Sequence, residues 1–258
     1  QCAPGEVIHP LNGASAYVLE GTPSAVGKQE PKGRWETIEA PMEPTDTYGK
    51  ATTMTVAADG SVKAKARWDY SGDWAADKRE WKATKTEKQI RNKVTGWIHS
   101  DLPEARVRDI VFDLIEKPGA PVVITCNWAD ENVAKPVDGK LLLQLDKGGV
   151  GWSGDPFERN AERHRDIVFW RPNLKTVTHT VVPPAGYVLG ELPKDREREE
   201  SFATFSSRWK MEGDDLVHML VLERKPGRWG KGEIGRFRDF FDAYRKALDP
   251  IITLSPSK

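Results

Sequence analysis

Residues 124–131 read ITCNWADE and place Cys126, one of two cysteines in the chain, two positions before a tryptophan. A cysteine nucleophile reacts as its thiolate, which a helix N-terminus or a cationic neighbour must stabilise. Cys126 instead shares one face of a strand pattern with Val122, Ile124 and Trp128, the setting of a small, inert hydrophobe. The pattern therefore predicts a buried, structural Cys126. A histidine partner would be adjacent only in space. A cryptic cysteine or carboxylate hydrolase thus remains a rival reading, and its mark would be a cleft where Cys126 meets a histidine.

The other chemically able residues are scattered. None of His9, His99, His164, His179 and His218 forms an i, i+4 pair or has a metal-ligand spacing to cysteine or carboxylate, so no metal and no cofactor is expected. His179 alternates with Val177 and Val181, and His218 with Leu216 and Leu220; both patterns suit a satisfied sheet histidine. His164-Arg165-Asp166 spells the start of a kinase catalytic loop without the glycine loop, lysine strand or asparagine that must accompany it. Gly148-Gly149-Val150-Gly151 continues into Trp152 and Ser153 rather than the Lys-Ser/Thr of a phosphate loop. The carboxylate neighbours Asp130-Glu131 and Asp214-Asp215 are typical turn chemistry, and glycoside hydrolysis would need two carboxylates facing one cleft.

Ten tryptophans are the compositional anomaly. Trp68, Trp128, Trp170 and Trp209 lie on strand patterns and are expected in the core, where large rings contribute most to packing. Trp152 and Trp229 lie in Gly-rich loops, where a ring can contact a protein partner or stack on a sugar. Folding back over a sheet edge is the simpler expectation for both. Carbohydrate binding through Trp152 or Trp229 is the second functional reading.

The elements that would position these residues are mostly strands. Val62, Ala64, Ala66, Trp68 and Tyr70 alternate with Ser61, Lys63, Lys65, Arg67 and Asp69, as a half-buried strand requires, and Asp59-Gly60 joins it to Thr52-Val56 in a hairpin. Asp73 is placed to cap a helix over about 73–100, with Ala76, Ala83, Ile90, Val94 and Trp97 on one side and Trp74 and Trp81 nearly opposite. Such a helix is buried between layers or broken near Thr84-Thr86. Strands are predicted over 107–115, 122–128, 140–145, 167–170, 175–182, 201–211 and 216–223. A final helix over about 233–248 ends at Asp249-Pro250, and the charged run 194–200 reads as a solvated loop.

These elements predict a mainly β chain, all-β to α+β, in two β-sandwich-like domains with one long internal and one C-terminal helix. The expected division is a lead-in over 1–50 with a short strand at 15–19, a first domain over 51–147, a Gly-rich linker over 148–165 and a second domain over 166–258. The balance of 39 basic and 39 acidic residues in 258 supplies no net field for nucleic acid. The sequence has no apolar run of about 18 residues that would insert in a membrane. Starting at Gln1, the chain is expected to be a piece of something longer or a processed product.

The order of segments adds a context. Pro156-Phe157-Glu158-Arg159, Trp170-Arg171-Pro172, Thr180-Val181-Val182-Pro183-Pro184-Ala185-Gly186-Tyr187, Leu192-Pro193, a hairpin and the closing Phe237-Arg238-x-Phe240-Phe241-x-x-Tyr244 helix resemble the C-terminal region of bacterial transglutaminase-like proteins. Those proteins carry β-rich domains of unknown function around a protease-like core. Earlier, Gly13-Ala14-Ser15-Ala16-Tyr17-Val18-Leu19, Thr22-Pro23, Ala58-Asp59-Gly60, Tyr70-Ser71-Gly72 and Arg79-Glu80-Trp81 resemble the stretch that follows that core. The resemblance implies that the catalytic Cys, His and Asp lie upstream of these segments, and no residue here matches them. It further implies a non-catalytic accessory or protein-interaction module, from a protein of the periplasm, cell envelope or exterior. Its partner would be another protein or the upstream core of its own precursor, docked through sheet edges or aromatic loops.

Overall fold

The computed structural model describes residues 15–19, 33–37, 46–113, 115–117, 119–145 and 164–257. The chain is mainly β. Strands β1 (Ser15–Leu19) and β2 (Gly33–Thr37) form an antiparallel pair. There follow β3 (Asp46–Val56), β4 (Val62–Tyr70), α1 (Gly72–Thr84), α2 (Glu87–His99), β5 (Arg106–Asp113), β6 (Val122–Asp130), β7 (Ala134–Val137) and β8 (Lys140–Gln144). Beyond the expected linker, most of which lies outside the described residues, come β9 (Ile167–Phe169), β10 (Asn173–Val182), β11 (Tyr187–Leu189), β12 (Arg196–Glu199), β13 (Ala203–Glu212), β14 (Asp215–Arg224), β15 (Gly227–Trp229), α3 (Ile234–Ala247) and β16 (Ile251–Pro256).

An eight-stranded sheet runs β12-β13-β14-β10-β3-β4-β6-β5, and a four-stranded sheet runs β11-β16-β8-β7. In the large sheet β3 and β10 pair in parallel, Asp46 opposite Asn173 through Thr55 opposite Val182, so strands from both sequence halves share one sheet. The buried apolar residues form two clusters, the first drawing on both halves of the sequence and the second on the later half alone. One joins Met54, Trp68 and Ile124 to Val94 and Ile98 of α2 and to Leu143 and Leu254 of the small sheet. The other joins Phe205 and Leu220 to Phe237, Phe240 and Tyr244 of α3, with Phe202 stacked on Phe237 at 3.7 Å between ring centroids. Burying rings of this size contributes about 2 kcal/mol each.

The β3–β4 hairpin forms because period-two alternation buries every second residue, and because Gly60 reaches φ +88° in the turn. Its carbonyl accepts from the Ala134 amide at 3.0 Å, which seats the turn on β7.

The segment 73–100 is two helices, divided at Thr84-Thr86, where a break is the alternative to one continuous helix. Thr86 starts α2 with a capping box, its Oγ1 accepting from the Gln89 amide while the Gln89 side chain accepts from the Thr86 amide, and such a box satisfies two amides that a continuous helix would use otherwise. The break lets the two helices bury different sides. In α2 Ile90 and Val94 point inward as expected. In α1 the expected Ala76–Ala83 side is the outer one: Ala83 is exposed, and Ala75 and Lys78 are buried. The Trp81 ring meets Trp97 at 5.7 Å, and the Lys78 ammonium sits 4.0 Å from the Trp81 centroid and 5.0 Å from that of Tyr70. Nor does the Asp73 side chain cap α1. The Asp73 amide donates to the Asp46 carboxylate at 2.9 Å, so β3 supplies the acceptor. Arg171, from the second half, bridges Asp46 and Asp73.

Two further expectations are corrected. The charged run 194–200 contains β12, a short edge strand paired with β13, and alternating charges are a usual way to keep an edge from recruiting other chains. Trp170 is 63% exposed rather than in the core. It directly follows β9, which turns Ile167 and Phe169 inward, and the residue after Phe169 points outward by the two-residue period.

Candidate functional site

The covered face of the large sheet holds the residues that most resemble catalytic machinery. In one row across the sheet lie Trp209, His218, His179, Thr52, Ala66 and Cys126, from β13, β14, β10, β3, β4 and β6. Ser207 Oγ lies 2.9 Å from His218 Nε2, and His218 Nδ1 lies 3.4 Å from His179 Nδ1. The Trp209 ring stacks on the His218 imidazole at 4.0 Å. Burial, and after it the adjacent His179, pushes the His218 pKa down to about 3. His218 is therefore a neutral ring at pH 7 that can accept from the serine hydroxyl. These are the atoms of a nucleophile and its base, but Ser207, His218 and His179 are at most 2% exposed. A substrate carbonyl has no approach to Ser207 Oγ, and Ser207, His218 and His179 form a buried hydrogen-bonded group beside the apolar cluster that contains Ala66 and Cys126 of the same row. Both sheet histidines are thus satisfied, as their alternation predicts.

Cys126 is 1% exposed, on the inner face of β6 opposite Ala66. His179 is three strands away in the same row, roughly 14 Å at ordinary strand spacing. Asp166 of the kinase-like triplet forms an ion pair with Arg228 at 2.7 Å, which holds its carboxyl below the usual range. Of the two loop tryptophans, Trp152 lies outside the described residues. Trp229 is half-buried, packed on Phe169, Phe202 and Phe237 at 5.4–5.9 Å, with its Nε1 donating to Ser201 at 3.2 Å. Asp130 accepts from the Asn132 amide, and Glu131 pairs with Arg106.

The opposite, open face of the sheet carries a feature that the sequence does not announce. Register places Thr55, Lys63, Ala129 and Arg106 in one row and Thr53, Lys65, Asn127 and Arg108 in the next. Each row has two cations flanking a small residue of β6, and together they line a groove of about 720 Å³. Four of its charged lining residues are cationic and only Asp109 is acidic. Asp109 is occupied: it sits at a bulge in β5 with φ 52°, accepts from the Asn127 side chain at 2.9 Å, and leaves Ile110 turned into the core. Arg106 pairs with Glu131, whereas Lys63, Lys65 and Arg108 are exposed and have no ion pair among the described residues. Three cations without ion pairs, with Arg106 beside them, around a small-residue floor can hold an anionic partner and steer its approach.

Fold and groove define a mainly β chain with an open, locally cationic sheet face. Residues 149–254 match a protein family described as a domain of unknown function with a solved structure, DUF3858. A solved structure from Parabacteroides distasonis, described as a "putative protease", is similar to this chain at 17% identity and a TM-score of 0.37. The similarity covers 48% of this chain and 24% of that one. No curated protein matches.

Proposed function

We propose that this chain is a non-catalytic accessory module from the C-terminal part of a transglutaminase-like bacterial protein of the cell envelope, and that it binds a protein partner through the groove on its open sheet face. The observation that carries the reading is the pair of cation–small–cation rows formed by Lys63, Ala129 and Arg106 and by Lys65, Asn127 and Arg108. Exposed cations held on neighbouring strands, three of which (Lys63, Lys65 and Arg108) have no ion pair among the described residues while Arg106 pairs with Glu131, favour association with an acidic surface. The later set of segments, from Pro156 to Tyr244, which resembles the C-terminal region of transglutaminase-like proteins, falls within residues 149–254, the stretch that matches a domain of unknown function.

The test is capture of the purified upstream core of the precursor by the immobilised chain, repeated with the K63E/K65E double variant. Retention by the parent chain and loss in the variant support the module and its face. Equal retention by both removes the groove from the reading, and failure of the parent chain to retain the core removes that partner.

A further inference from the structure

Resting on that reading, we infer that the occupant of the groove is an extended acidic polypeptide segment lying along β6, with carboxylates directed alternately to the two walls. Geometry selects the shape. The floor, Ala129 and Asn127, follows β6, and the walls, Lys63 and Lys65 on β4 and Arg106 and Arg108 on β5, stand one strand to either side. Strands spaced by about 4.8 Å put the walls roughly 10 Å apart, which admits one extended chain and not a helix with its side chains. Along each wall the cations repeat every second residue. That is the repeat at which an extended chain returns its side chains to the same side, about 6.8 Å. Consecutive Glu or Asp residues would therefore meet both walls in turn.

Chemistry selects a polypeptide over the other polyanions. Besides the groove residues, the next outward row is Arg67, Thr125 and Val111, and the aromatic residues of β4, β5 and β6 all take inward positions, including Trp128, which borders the groove but is 2% exposed. Sugar rings and nucleic-acid bases are held largely by stacking on aromatic side chains, which this face does not offer. Carboxylates need only cations and amide or hydroxyl donors, which it does.

The experiment is fluorescence anisotropy of a labelled octaglutamate peptide with the intact chain, beside an alternating Glu-Ser peptide, an anionic polysaccharide and single-stranded DNA, each titrated into the parent chain and into K63E/K65E. Far-UV circular dichroism confirms that the variant folds. The expected result is saturable binding of octaglutamate, weaker binding of the alternating peptide that can address only one wall, and an increase in Kd of roughly tenfold or more in the variant. Binding should also weaken as salt rises from about 0.05 M to about 0.5 M. Binding of the polysaccharide or DNA in preference to octaglutamate overturns the inferred occupant. So does octaglutamate binding that K63E/K65E leaves unchanged. If octaglutamate fails to bind while the core is still captured through Lys63 and Lys65, the inference falls and the docking reading stands; loss of both removes the two together.

Discussion

The row through His218 makes the stability of the protein depend on pH in a way that can be calculated. Burial between Trp209 and His179 lowers the pKa of His218 to about 3, against 6.5 for an unperturbed imidazole. A depressed histidine pKa means that the unfolded chain binds the proton more readily than the folded one throughout that window. Stability is therefore complete above about pH 6.5 and is lost as pH falls towards 3. Between about pH 7.5 and pH 5 the loss from this one ring is about 2 kcal/mol, and near pH 3 it reaches about 4 kcal/mol. The latter is a large part of what a domain usually possesses. The assay is urea unfolding followed by tryptophan fluorescence across that range, on the parent chain and on a His218→Phe/Ser207→Ala double variant. The variant removes the titrating ring together with the hydroxyl that bonds it. Its absolute stability is secondary, and the comparison is of slopes. A stability-versus-pH slope as steep in the variant as in the parent between about pH 7.5 and pH 5 would refute the assignment of a buried neutral imidazole.

Other features yield sharper, more local outcomes. In a Cys2→Ser variant, Cys126, 1% exposed, should resist an aromatic disulfide reagent in the folded chain and react on denaturation; rapid labelling of that variant under native conditions would revive a reactive thiol. Replacing Thr86 by alanine removes the capping box of α2 and should cost about 1 kcal/mol in urea unfolding, while serine at the same position should restore most of it. Gly60→Ala should be worse than a surface change of its size: at φ +88° the new Cβ would stand 2.1 Å from the Ala134 carbonyl oxygen. A loss of about 2 kcal/mol or more is expected from the strain and the displaced backbone. An unaltered melting temperature in that variant would show that the turn does not rest on β7.

Local patterns made much of this fold legible. Alternation from Ser61 to Tyr70 gives β4 and its buried face because water lies on one side of that strand and core on the other. The histidines of β10 and β14 are readable for the same reason, as is the burial of Cys126. Helix faces were harder. The two-sided apolar pattern of residues 73–100 states the problem of Trp74 and Trp81 without showing that a capping box at Thr86 resolves it. Least legible was everything produced by pairing across long sequence distance. Lys63, Ala129 and Arg106 read separately as an exposed cation, a small residue and another exposed cation, each unremarkable on a strand. Only antiparallel register across β4, β6 and β5 makes them a row. The parallel contact of β3 with β10 is hidden in the same way, since neither strand carries a mark of its partner.

That contact also sets an order of assembly. During synthesis β3 appears on the order of 130 residues before β10, and pairing over such a distance is slow because a long loop must close first. Until then β3, with Thr53 and Thr55 outward and Thr52, Met54 and Val56 inward, has one hydrogen-bonding edge bare. A chain ending at residue 145 would keep that edge permanently, and an eleven-residue bare strand is a template for its own copies. The second half of the protein therefore covers this edge with β10, and carries the sheet on through β14 and β13 to end at the short, charged strand β12.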